Sequence, residues 1–153
     1  MRASHTVHVT DGQYFVLDDG GDAYPNPGSA LDTADRILFP DVSGKNGVYV
    51  MPGTFDGPID VTVETLDTRP DTGTTPAGWE HSEHVIVTSS GSSIFVSTLD
   101  DRVLELPALT VQPGTSYGVR LLARGVEEAR ERGELEWDEA PVESHLIQLW
   151  PAT

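Results

Sequence analysis

The stretch HVIVTSSGSSIFVS, His84 to Ser97, alternates apolar and polar side chains on both sides of a Ser-Ser-Gly-Ser reversal. Period-two alternation marks a strand with one buried face, and glycine among serines supplies the turn. We read Val85 to Ser97 as a β-hairpin, with Val85, Val87, Ile94 and Val96 as its candidate core positions.

Moving outward, the same pattern recurs at Ser4–Thr10, Gln13–Asp18, Arg36–Phe39, Gly47–Met51 and Ile59–Leu66 upstream. Downstream it recurs at Arg102–Leu106, Tyr117–Arg124 and His145–Trp150. Valine, isoleucine, threonine and aromatics dominate these runs, as a pleated and half-buried surface requires. Asp18–Asp22 (DDGGD), Ser43–Gly47 (SGKNG) and Gln112–Thr115 (QPGT) carry turn chemistry between them. About ten short strands spaced this way predict an all-β fold, an antiparallel β-sandwich of jelly-roll type with at most one short helix. A chain of 153 residues fits a single domain, 1–153, around one core.

Two segments depart from the pattern. Thr68–Gly78 (TRPDTGTTPAG) holds two prolines and two glycines and predicts a long mobile connection over 68–78. Residues 126–140 form an acidic excursion, VEEARERGELEWDEA, that predicts a turn or two of helix broken at Gly133 and finished before Pro141.

Charge is the strongest compositional feature: 25 acidic against 9 basic side chains, a net of −16 and a pI near 4.3. Such a field repels nucleic acid and anionic lipid and attracts a basic protein. Arginine supplies 8 of the 9 basic residues, a sign of GC-rich coding that offers a second origin for the acidity. The absence of cysteine excludes disulfides, thiolate metal sites and cysteine nucleophiles, and is compatible with a cytoplasmic location. No apolar run follows the opening MRASHTVHVT and none approaches a membrane span, so neither a signal peptide nor a bilayer location is expected.

Candidate chemistry centres on the histidines. His5 with His8, and His81 with His84, are spaced HxxH, which suits a metal on a helix but points the two rings to opposite faces of a strand. Only His81 with Glu83 keeps a strand ligand spacing, so no metal or cofactor is expected. The run from HSEH through SSG to VQPGTSYGVRL resembles a cupin barrel, but the cupin glutamate is missing between Val85 and Asp100, and Tyr117 and Arg120 stand where its last histidine would fall. The Gly91–Ser93 serines lack a nucleophile elbow, and LDDGGDAYPN lacks the calcium-loop spacing. No catalytic residue is assigned.

The order ADRILFP, GVYVM, HVIVTS, SIFVS, RVLELP and PGTSYGVRL, then an acidic excursion and a last strand, resembles the competence protein J family of nuclease inhibitors. That resemblance implies a small acidic bacterial protein that binds and restrains a nuclease. Carboxylates can occupy a basic DNA cleft by imitating the charge pattern of DNA, so a non-enzymatic module binding a basic protein is the favoured reading. The partner-binding candidates are Asp100, Asp101, Glu127, Glu128, Glu131, Glu134, Glu136, Trp137, Asp138 and Glu139. Two alternatives stay open: a carbohydrate- or small-ligand-binding module using Trp79, Trp137 or Trp150, and a degenerate cupin-like metalloenzyme.

Overall fold

A computed structural model of the chain describes residues 1–32 and 35–152. Among them lie ten strands: β1 (Arg2–Val9), β2 (Tyr14–Asp18), β3 (Leu38–Pro40), β4 (Gly47–Val50), β5 (Gly57–Thr65), β6 (His81–Thr88), β7 (Ser93–Ser97), β8 (Leu109–Thr110), β9 (Ser116–Arg124) and β10 (Ser144–Pro151). A short 3-10 turn covers Gly28–Asp32 and one helix, α1, covers Val126–Arg132. No helix among the described residues is long and apolar enough to cross a membrane.

The strands form two five-stranded sheets, ordered β1-β5-β10-β9-β6 and β3-β4-β2-β7-β8. The protein is an all-β sandwich in which every pairing is antiparallel except that of β10 with β5, which is parallel. Inward positions alternate as the sequence pattern requires: Ile59, Val61 and Val63 of β5 are buried against Val16 of β2 and Val48 of β4 in a single core.

The central strands β9 and β10 are apolar almost throughout because both of their faces are covered. The connection between β5 and β6 lies across the outer face, where Arg120 donates to the Asp71 carbonyl at 2.7 Å and Leu122, Leu146 and Trp150 are buried. The predicted loop over 68–78 is thus anchored to the sheet at Asp71. The excursion opens with the expected short helix, and Gly133 ends it with φ 72°, a positive φ that glycine adopts without the steric cost of a Cβ.

Two sequence expectations are corrected. Val85–Ser97 is not a hairpin: β6 pairs with β9 and β7 with β2, so Ser89–Ser92 crosses from one sheet to the other. The reason is electrostatic, since the turn does not close on itself but is held by β2 and the residue after it. Asp18 accepts from the Ser90 and Gly91 amides, and Asp19 from those of Ser92 and Ser93. Val85 and Val87 still face Ile94 and Val96, but across the core. Arg102–Leu106 is not a strand either; only Arg102 bridges Ser97, while Leu104 is exposed and Leu106 sinks into the core.

Candidate functional site

One end of the sandwich collects most of the exposed acid. β1 turns through a Thr10–Gln13 bridge into β2, β4 runs on through 51–56 into β5, and β9 leads through the excursion into β10. Register places these junctions together, because Val9 faces Gly57, and Asp60 faces Ser144, which faces Arg124. Backbone bonds then stitch the loops: Gly12 N–H to the Phe55 carbonyl, Phe55 N–H to Gly133, and Leu135 N–H to Asp56, at 2.7, 2.7 and 2.8 Å. Gly53 packs so closely that a Cβ there would meet the Val126 carbonyl oxygen at 2.1 Å. Only glycine fits under the helix.

On this platform Glu127, Glu128, Glu131, Glu134, Glu136 and Asp138 are exposed and Glu139 is half-buried. Arg130 pairs with Glu127, and Arg132 with Glu139, each at 2.6 Å. The Glu139 carboxyl is held below its ordinary range by the Glu136 N–H and then by Arg132. The other five acids, Glu128, Glu131, Glu134, Glu136 and Asp138, make no ion pair among the described residues. Trp137 is 73% exposed, yet its ring is fixed. It stacks on His8 at 4.4 Å with planes 13° apart, and its carbonyl lies 3.1 Å from His8 Nε2.

Asp100 and Asp101 follow β7, whose last residue Ser97 pairs with Phe15, so they lie at the same end of the molecule. Both are exposed, and their amides donate to the Thr98 hydroxyl at 3.2 and 3.3 Å. No hydrogen bond or ion pair joins them to the excursion among the described residues. They sit on the other sheet.

Two contributors escaped sequence reasoning. Phe55 is 49% exposed and borders a cleft of about 240 Å³ with Met51, Tyr49 and Arg130; a lone phenylalanine between two turns carries no periodic signal. Beneath the platform, Tyr14 Oη lies 2.6 Å from His145 Nδ1, and His145 Nε2 lies 2.6 Å from Glu143. Glu143 also accepts from the Gly53 and Thr54 amides and the Thr54 hydroxyl. All three ring and carboxyl groups are buried.

Burial pushes the Glu143 carboxyl up, but the bond and charge of His145 and the two amides outweigh it and leave it below the usual carboxylate range. Burial, then Glu143, holds the Tyr14 phenol well above its usual value. Glu143 accepts from His145 Nε2–H, and the Tyr14 hydroxyl and His145 Nδ1 share the second hydrogen bond. The signal in sequence was Glu143 and His145 two apart at the head of an apolar strand.

The histidine cluster dissolves in the fold. Glu83 points inward and accepts from the Ile37 and Leu38 amides, whereas His84 is exposed on the other face of β6. No group of three metal-ligating side chains is found among the described residues. Of the three tryptophans, Trp150 is buried, Trp79 lies under the Arg124 guanidinium at 4.7 Å, and Trp137 stands free on one side.

No family model and no curated protein matches the chain. Its fold is similar to the crystal structure of ComJ, inhibitor of the DNA degrading activity of NucA, from Bacillus subtilis, with TM-score 0.50 and 9% identity over 97% of this chain and 95% of that one. It also aligns with a chain named crocagin biosynthetic gene J, with TM-score 0.48 and 14% identity over 100% and 98% of the two chains.

Proposed function

We propose that this protein is a non-enzymatic inhibitor or immunity-like module that binds a basic protein, a nuclease being the favoured partner. The observation that carries the reading is the acidic excursion at one end of the sandwich, which holds five carboxylates without ion pairs among the described residues together with an exposed Trp137 stacked on His8. Charge of one sign steers a basic partner into encounter, and an aromatic whose rotamer is already fixed loses little entropy on binding. The likeness in fold to ComJ supports the same class of work. Nucleic acid itself would be repelled by a net charge of −16. The cytoplasm is the proposed place of action.

The decisive measurement is association with a purified nuclease partner at low and moderate salt, with DNA cleavage as a second readout. Converting Glu128, Glu131 and Glu134 to Gln and Asp138 to Asn should slow association about tenfold or more at low salt and flatten its salt dependence. Trp137→Ala should chiefly speed dissociation, because a central aromatic anchor acts after encounter. Equal rates for the fourfold variant and the wild type at both salts would defeat the proposal.

A further inference from the structure

The outer face of the first sheet holds a feature that the acidic end does not use. Register lines up outward side chains in rows across the strands: Thr6, Asp60, Ser144 and Arg124 form one row, and Ser4 and Thr62 begin the next. Trp79 closes one side, carrying the Arg124 guanidinium over its ring. These residues, with Arg2, line an open groove of about 550 Å³, a volume within the range of small-ligand sites. The groove exists because the connection between β5 and β6 covers β9 and β10 and leaves the outer side of β1 and β5 bare.

Its chemistry is specific. Ser4 and Thr62 hydroxyls meet at 2.7 Å, and the Thr6 hydroxyl donates to Asp60 at 3.3 Å. Each hydroxyl has one donor and two acceptor positions and a carboxylate about four acceptor positions, so this floor keeps hydrogen-bonding capacity of both kinds. Asp60 makes no ion pair among the described residues, and neither does Arg124. One outward position further along β1, His8 carries Trp137. A polar strip therefore runs between two tryptophans.

We propose that this groove binds a neutral saccharide. A pyranose offers adjacent hydroxyls to a carboxylate and a guanidinium, Asp60 and Arg124, and an apolar face to the side of the Trp79 indole that Arg124 does not cover. An anion meets Asp60 in the floor and the field of the whole chain, net −16. A cation meets Arg2 and Arg124 at the rim. An apolar ligand would strip water from the hydroxyls without replacing their bonds. This inference is independent of the inhibitor reading and uses none of the five acids of the excursion that lack ion pairs.

The test titrates the whole chain with maltotriose, cellotriose, mannotriose and chitotriose, each to about 10 mM, weak carbohydrate binding lying in the millimolar range. Amide shifts and tryptophan fluorescence supply the readouts. At least one trisaccharide should bind saturably and move the amides of Thr6, Asp60, Thr62 and Ser144. Asp60→Asn, an isosteric surface change, and Trp79→Ala should each weaken that binding about tenfold, two hydrogen bonds or one stacked ring. The variant neutralised at Glu128, Glu131, Glu134 and Asp138 should bind sugar as the wild type does, which separates this result from the fate of the inhibitor reading. The proposal is overturned if no trisaccharide moves these amides, if binding survives Asp60→Asn unchanged, or if inorganic phosphate binds the groove in preference.

Discussion

The single buried carboxylate that sets the floor of the acidic end is Glu143, and its environment makes a pH statement. Its folded pKa is depressed, so it contributes stability that is present above the unfolded glutamate value, about 4.3, and lost as pH falls through the folded one. Urea unfolding between neutral and acid pH should show Glu143→Gln with a flatter acid limb than the wild type. Glu143→Ala should cost about 3–5 kcal/mol at neutral pH, because it leaves His145 and two amides without their acceptor. Tyr14→Phe should cost only about 1 kcal/mol, one hydrogen bond. The partners Tyr14 and His145 are 131 positions apart, which is why Tyr14 could not be joined in sequence to the closely spaced Glu143 and His145. The isolated histidine did the structural work, while the conspicuous HxxH pairs fell to opposite faces, as strand geometry dictates.

Among elements, the alternating runs other than Arg102–Leu106 were readable as strands, with their inward sets, but not as pairs. Val85, Val87, Ile94 and Val96 look the same whether β6 and β7 share a sheet or face each other, since both arrangements send the same side chains inward. What decides is the capture of the turn by Asp18 and Asp19, a contact of about seventy positions' separation that no local pattern reveals. The absence of cysteine makes a clean test possible. Thr88 and Ser116 are register partners with hydroxyls 3.2 Å apart, close enough for a disulfide. Thr88→Cys with Ser116→Cys should oxidise within the chain, whereas Thr88→Cys with Ser93→Cys, the hairpin pairing, should stay reduced. The connection over 68–78 offers a companion experiment. Arg120→Ala removes its anchor to Asp71, and limited proteolysis should then cut within Thr68–Gly78 faster than in the wild type.

At the scale of the whole molecule, the acidity divides into two populations with different jobs. Asp18, Asp19, Asp41, Glu83 and Glu143 accept backbone amides and hold loops in place. Glu128, Glu131, Glu134 and Asp138 make no ion pair among the described residues and supply field. Composition could count the carboxylates but could not sort them, because the amides they cap come from remote segments. Removing the second population should therefore leave the melting temperature unchanged or slightly higher, through relief of like-charge repulsion, and scanning calorimetry of the fourfold variant checks this. A sharp loss of stability would reassign those acids to the scaffold.

The parallel contact of β10 with β5 carries a consequence for how the molecule comes into being. β10 stands third in its sheet, between β5 and β9, so the two antiparallel pairs that flank it cannot be joined while that strand is still inside the ribosome. Synthesis leaves β5 and β9 with unpaired edges until β10 has emerged, and closure then waits on contacts remote in sequence, which are slow to form. A nascent chain arrested before Ser144 should remain sensitive to protease and should recruit chaperones. Release of the following eight residues, Ser144–Pro151, should convert it to the resistant form in a single step.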